Sequence, residues 1–313
     1  MIYVGVDIGG TSIKVGFVNE AGEILSRFVR KIVKGENGED TIRIIGEMIN
    51  EHIKEHNYKD VKGIGAGCPG AINSTTGYCD ASANLGWERL NVAEIFANTC
   101  KIPAKIGNDA NVATLGEVKF GVAQNYNNVI MLTLGTGVGG GLYLDGKLYE
   151  GNEGKGAELG HALFIYNGRQ CGCGRKGCFE RYASATGLIM DTKEAMEAHK
   201  DSKMWDFVNG DINAVDGRTA FETAKLGDEV AKHVVDQYIH YLAAGIISFC
   251  NVFRPEAIVL GGGICAQGDN LIKPIEKILI EEDYGYKNTP KVELLVAKLG
   301  NDAGILGAAA LVM

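Results

Sequence analysis

The chain has 313 residues, 46% of them hydrophobic and 22% charged, with a formal net charge of −8. That balance is ordinary for a globular domain or a pair of them, and it argues against nucleic-acid or anionic-membrane surfaces, which need clustered cations. The opening MIYVGVDIGG lacks a basic segment followed by a long apolar one, so no signal peptide is expected. The most apolar late stretch, YLAAGIISFCNVF, falls short of the roughly 18 apolar residues of a membrane span. Eight cysteines in so long a chain do not make a disulfide scaffold, so reduced thiols and a cytoplasmic setting are the expectation.

Glycine is the outlier, with 44 residues, about twice average usage. The glycines gather in GVDIGGTSIKVG, GIGAGCPG, LGTGVGGGLYLDG and VLGGGI, each beside β-branched residues. Residues 2–8 read as a strand, IGGT as its turn, IKVGFVN as a second strand and AGEIL as the entry to a third. This is a hairpin and not a βαβ unit, and neither a Walker loop nor a G-x-G-x-x-G follows the first strand. Ile42, Ile45, Ile49 and Ile53 give residues 39–56 a helical period. VKGIGAG is the next strand, residues 91–98 a helix, AKIGN a short strand after Pro103, and DANVATLGEVKFG a helix. NNVIMLTLG then forms a strand whose glycine run leads into a second hairpin, GGGLYLDGKLY. Residues 180–245 read as mostly helical, EAIVLGGGI as a buried strand, 291–297 as a strand and 303–312 as a short apolar helix.

DIGGTSIKVGFVNEAGEI and TLGTGVGGGLYLDGKLYEG share one plan of strand, glycine turn and strand. Each can open an α/β half, with a hinge near residues 107–120 and a ligand cleft between the halves. The domains are expected over 1–112 and over 113–299. Backbone N–H groups converging in a tight turn hold phosphate well, and glycine permits turns with φ > 0. Gly9, Gly10 and Thr11 are candidates for one side of a polyphosphate. Gly135, Thr136, Gly137 and Gly139 are candidates for the other, and Gly261, Gly262 and Gly263 for a nucleoside. Lys14 offers a point charge and Asp7 a carboxylate for water-mediated magnesium. Taken singly, each loop reads first as a structural hairpin; two similar loops and a third glycine run favour a ligand.

In GNDANVATLGE, Asp109 stands where a carboxylate often merely caps a helix. The same position suits a base that orients a hydroxyl for attack on a γ-phosphate. In HALFIYNGRQCGCGRKGC, Cys171, Cys173 and Cys178 join His161 in a Cys3His set of the structural-zinc type, although C-x-C departs from the usual C-x2-C pairs. A redox centre is the alternative, weakened by the lack of C-x-x-C. Such a closed site leaves no open coordination position. Glu158, His161 and Glu180 then become candidates for holding vicinal hydroxyls, with His161 using one ring nitrogen for each task.

ELGH at 158–161 followed by CGCGRKGCFE at 171–180, with DIGGT and TLGTGVGGG, resembles the ROK family of bacterial sugar kinases and sugar-responsive repressors over nearly the whole chain. That resemblance implies a two-domain, ribonuclease-H-like (actin-like ATPase) α/β fold, with the domain at 1–112 rejoined by the C-terminal helix at about 300–313. It implies Asp109 as the base, and Asn84, Asn108, Glu158, His161 and Glu180 around a hexose, with Gly65 and the turn at 67–70 shaping the cleft. Gly9, Gly10, Thr11, Gly135, Thr136 and Gly137 would hold ATP with Mg2+, Gly261–Gly263 would lie near the nucleoside, and His161, Cys171, Cys173 and Cys178 would bind structural Zn2+. A homodimer or homotetramer is expected. The family's repressors carry a helix-turn-helix ahead of the kinase-like part; here the first strand starts at Ile2, so an enzyme acting on a hexose and ATP, without nucleic-acid or membrane partners, is expected. SANLGWERLNV resembles glucokinase-like members, which puts glucose at its 6-hydroxyl first. Fructose, mannose, allose, N-acetylglucosamine and N-acetylmannosamine kinases share the polar set, and a non-catalytic sugar sensor is the rival of a different class.

Overall fold

The computed structural model describes every residue except Lys34, Asp283, Tyr286, Lys287 and Thr289. The chain opens with β1 (Ile2–Ile8), the turn Gly9–Thr11, β2 (Ser12–Asn19) and β3 (Ile24–Lys31), an antiparallel meander. Helix α1 (Gly38–Glu55) follows, started by Asn37, whose side chain accepts the Glu39 N–H, with Glu39 and Asp40 near the positive end of the helix. The isoleucine stripe at 42, 45 and 49 is fully buried. Strand β4 (Val61–Cys68) runs parallel to β1. Three short strands, β5 (Ala71–Asn73), β6 (Tyr78–Ser82) and β7 (Trp87–Asn91), form a separate small sheet. Helix α2 (Val92–Cys100) leads to β8 (Ala104–Asn108), parallel to β4, and then to α3 (Asp109–Phe120).

Strands β9 (Val129–Leu134), β10 (Val138–Leu144) and β11 (Lys147–Tyr149) come next, and β10 and β11 are antiparallel. Beyond the cysteine segment lie α4 (Glu180–Ala183), α5 (Ala185–Ala198), α6 (Met204–Phe207), α7 (Thr219–Lys225) and α8 (Glu229–Phe253). The chain ends with β12 (Ala257–Gly261), α9 (Asp269–Glu282), β13 (Glu293–Val296) and α10 (Ala303–Ala310). Among the described residues no helix is long and apolar enough to cross a membrane.

Both large sheets have the same strand order. One has the order β3-β2-β1-β4-β8, the other β11-β10-β9-β12-β13. The internal echo in the sequence is therefore realised as two copies of one strand plan.

The chain divides into two compact units. The first comprises Met1–Ile130, Gly141–Ala157 and Ala297–Met313, the second Met131–Gly140 and Glu158–Val296. The expected boundary after residue 112 falls inside α3, all of which belongs to the first unit. Close packing of α3 against α10 accounts for this. A β-carbon on Gly307 would overlap the Val112 carbonyl, and one on Gly116 would stand 2.8 Å from the Ala303 carbonyl oxygen. Helix α10 also lies directly on the first sheet, since β-carbons on Gly5 and Gly65 would overlap the carbonyls of Ile305 and Ala308. The core of this unit gathers Val4, Val6, Ile13, Val15 and Phe17 with the α1 isoleucines, each such buried side chain contributing about 1.5–3 kcal/mol.

The second unit is centred on α8, whose Tyr238, Leu242, Ala243, Ile246 and Cys250 are buried. Phe179 packs edge-on against Phe249 and over Gly245. Tyr238 donates from its hydroxyl to the Ala183 carbonyl at 3.0 Å. These contacts fix α4, and with it Glu180.

Candidate active site

In the first unit the candidate residues cluster at the ends of β1, β2, β4 and β8. Asn108 closes β8 and caps α3, accepting from the N–H groups of Ala110 (2.9 Å) and Asn111 (3.4 Å) and donating to the Gly70 carbonyl at 3.2 Å. Gly70 has φ +115° and lies against Ala81 and Ser82, so the turn after β4 requires glycine there. Asp109 begins α3 and accepts the Ala110 N–H on Oδ1 at 2.9 Å. The residue is exposed, while nearby protein partly desolvates its carboxylate. Desolvation raises its pKa above the usual carboxylate range; the Ala110 N–H works the other way, and the charge of Asp7 adds to the rise. Asn108 is thus the cap of α3, and Asp109, its first residue, shares the Ala110 N–H with it.

Asp7 is paired with Lys14 at 3.1 Å, opposite each other in the β1–β2 register. The Asp7 carboxylate also lies against Gly304, where a β-carbon would stand 2.7 Å from Cγ. Lys14 is thus already engaged by a carboxylate. Asn84 is exposed in the β6–β7 turn. Gly65 lies under α10, which supplies a packing reason for glycine at that position.

Gly9, Gly10, Gly135 and Gly137 correct one expectation, because none of them adopts positive φ. Gly9 is constrained by its turn, its N–H bonding the Ser12 carbonyl at 3.0 Å. Gly10 and Gly135, in contrast, have open space where a side chain would stand. Neither backbone strain nor packing requires glycine at these two positions, which leaves their backbones open to close approach by a ligand.

In the second unit the turn after β9 is gripped by the start of α5. The Ala185 N–H donates to the Gly135 carbonyl at 2.8 Å, and Thr186 Oγ1 donates to the Thr136 carbonyl at 2.7 Å. Ser184 caps α5 by accepting the Gly187 N–H at 3.1 Å. Neither Ser184 nor Thr186 was singled out from sequence, although a serine before a helical run is the N-cap signal that marks this start. Gly262 has φ +96° and presses on the backbone of Leu134, so the glycine run after β12 lies beside the β9 turn. Gly261 and Gly263 flank it.

Glu158 precedes a single 3-10 turn, Leu159–His161. The His161 Nδ1 atom lies 3.7 Å from Cys171 Sγ and 3.6 Å from Glu180 Oε1, and Cys173 and Cys178 have their sulfurs 3.6 Å apart. All four donor atoms of His161, Cys171, Cys173 and Cys178 lie within 4.8 Å of one another. Zinc–sulfur bonds of about 2.3 Å place two thiolates of a tetrahedron about 3.8 Å apart, so the observed spacings fit a Cys3His zinc site. Gly174 (φ +90°) and Gly177 (φ +79°) let the loop turn back on itself, with the Cys171 N–H on the Arg175 carbonyl at 2.8 Å. Because Nδ1 faces the sulfurs, Nε2 of His161 is the nitrogen left for another partner. Arg169 anchors the loop through a half-buried pair with Asp191 and through its place over the Tyr182 ring, 4.8 Å from the centroid.

Two sheets of one strand order, each led by a glycine-turned hairpin, define a two-unit α/β protein of the ribonuclease-H-like, actin-like ATPase class. The chain is 37% identical to a glucokinase from Halalkalibacterium halodurans, over 99% of this chain and 94% of that one, and 34% identical to a glucokinase from Thermotoga maritima, over 99% and 96%. The crystal structure of a ROK family glucokinase from Streptomyces griseus in complex with glucose and AMPPNP superimposes with a TM-score of 0.81 at 32% identity, covering 100% of this chain and 99% of that one. Residues 3–313 match the ROK family model, and the chain belongs to the ROK family.

Proposed function

We propose that this protein is an ATP-dependent hexose kinase of the glucokinase type, with glucose at its 6-hydroxyl as the first substrate. The observation that carries the reading is Asp109. It is a carboxylate at a helix start where Asn108 is the cap, its pKa is raised by desolvation, and among the described residues no cation pairs with it. The bound glucose and ATP analogue in the Streptomyces griseus relative support the same substrate classes here.

In this reading Asp109 orients the sugar hydroxyl and accepts its proton as phosphorus is transferred. Phosphoryl transfer is dominated by positioning and electrostatics, so a carboxylate need not remove the proton beforehand. Asn84, Asn108, Glu158, His161 Nε2 and Glu180 hold the remaining hydroxyls, and Gly65 sets the β4 backbone beneath α10. Gly9, Gly10, Thr11, Gly135, Thr136 and Gly137 present backbone N–H groups to the phosphates, and Gly261–Gly263 lie beside the nucleoside. Lys14, held by Asp7 at 3.1 Å, supplies a point charge beside the phosphates. Magnesium held by Asp7 through water would supply charge neutralisation at the phosphates. Zinc on His161, Cys171, Cys173 and Cys178 would be structural, since the protein fills all four positions.

A coupled ADP-release assay over a panel of glucose, mannose, fructose, allose, N-acetylglucosamine and N-acetylmannosamine tests the proposal. The highest kcat/KM should fall on glucose. ADP release dependent on another member of the panel would reassign the substrate, and sugar binding with no ADP release would replace the kinase by a sensor.

A further inference from the structure

Helix α1 ends in HIKE, residues 52–55, and His56 follows as its C-terminal cap, on the first unit and among residues that the proposed phosphoryl transfer does not use. We propose that His52, Glu55 and His56 form a second metal site, which takes a divalent transition-metal cation of the Zn2+ or Ni2+ kind. One ligand atom from each residue can be chosen so that all three lie within 4.8 Å of one another. The spacing i, i+3, i+4 puts them on one helical face, so the backbone itself brings the donors together.

The hydrogen bonds around the two imidazoles supply the second part of the case. His56 Nδ1 lies 3.1 Å from the His52 carbonyl oxygen, which can only accept. Nδ1 therefore carries the proton, and Nε2 of the neutral ring presents a lone pair. His52 Nε2 lies 2.8 Å from Ser26 Oγ, and that hydroxyl is 2.9 Å from the Tyr58 hydroxyl. With Nε2–H donating to Ser26 and Ser26 donating to Tyr58, Nδ1 of His52 is also free to bind. A ligating histidine whose other nitrogen is engaged by a hydroxyl or carbonyl is the arrangement that fixes ring orientation and raises basicity in metal sites.

The rings already lie face to face with centroids 3.9 Å apart, and Phe17 stacks on the far side of His52 at 4.7 Å. His52 is thus held by its ring and hydroxyl contacts and His56 by its bond to the His52 carbonyl, while the exposed Glu55 can turn onto an ion bound beside them. The site stands at the carboxyl end of an 18-residue helix, where the backbone dipole favours positive charge. Imidazole nitrogens with a carboxylate oxygen are the donors that Zn2+ and Ni2+ accept, whereas Mg2+ and Ca2+ prefer oxygen alone.

The test uses the whole protein preloaded with zinc and freed of excess metal, so that the Cys3His site is occupied. Titration with Ni2+ in a calorimeter should give one saturable equivalent. His56→Ala, at an exposed position that does not threaten folding, should weaken that binding by more than about tenfold, and Ser26→Ala should weaken it by about tenfold through loss of ring orientation. Hexose phosphorylation should be unchanged in the His56 variant. No binding by the parent protein, or equal Ni2+ affinity in the parent and in His56→Ala, would overturn the site.

Discussion

The Glu180 carboxylate lies over Gly137, so close that a β-carbon on Gly137 would stand 2.5 Å from Oε2. Its other oxygen, Oε1, is 2.9 Å from Cys171 Sγ. One side chain thus spans the glycine turn after β9 and the cysteine loop. Gly137→Ala should displace Glu180 and lower kcat/KM for the hexose by about 10²-fold, since small misplacements of positioning groups are that costly. Thermal unfolding should move little, because Gly137 lies at the mouth of a turn. Wild-type kinetics in this variant would show that Glu180 has no role in sugar binding.

Asp109→Asn preserves shape and removes the base. The turnover number should fall about 10²–10⁴-fold while sugar binding, measured by calorimetry, stays near that of the parent. The pH profile follows from the direction of the shift. Desolvation and then the charge of Asp7 raise the Asp109 pKa, so its active, ionised form is lost at a higher pH than for an ordinary aspartate. Activity should therefore decline on acidification at a higher pH than an ordinary aspartate base would give. Asp7→Asn should move that acid limb to lower pH, a shift that a purely structural Asp7 would not produce.

Thr186→Val removes the hydroxyl that holds the Thr136 carbonyl and keeps the side-chain volume. Loss of one hydrogen bond of about 0.5–1.5 kcal/mol should raise KM for ATP several-fold. Hexose affinity in the absence of ATP should not change. Initial-rate measurements at varied ATP and fixed saturating sugar separate the two.

Cys173→Ser takes away the exposed member of the four-donor set. Zinc content by elemental analysis should drop from near one per chain, and hexose affinity should fall with it as His161 and Glu180 lose their support. A folded, zinc-free variant with normal sugar affinity would uncouple the metal from the substrate.

Gly65→Ala should destabilise the first unit by about 3 kcal/mol or more, since the added carbon would overlap the Ala308 carbonyl and backbone cannot step aside as a side chain can. Chemical denaturation provides the measure. A catalytic defect with unchanged stability would instead favour a direct role at the sugar.

Much of the fold could be read from local pattern. The isoleucine period of α1, the β-branched runs of β1, β2, β4 and β9, and the paired glycine hairpins each carry their own signal within a few residues. The three strands β5–β7 could not be read in that way, because segments of three to five residues between turns show no reliable alternation. The glycines were legible in number and misleading in mechanism. Gly10 and Gly135 require no special dihedral angle, while Gly5 and Gly65, inside strands, are dictated by a helix about 240 residues or more away in sequence. The histidine-cysteine cluster was visible because its donors are chemically rare and close in sequence. Thr186 escaped notice because a threonine in a helix has no distinctive chemistry until the carbonyl it serves is seen.

Residues 303–310 lie against strands made from residues 2–8 and 61–68, so the oldest part of a nascent chain must wait for the newest. At synthesis rates of about 5–20 residues per second, the first sheet stands with one face uncovered while the second unit emerges from the ribosome and folds. Chaperone dependence during translation, and degradation of chains released before residue 303, follow from that order of events.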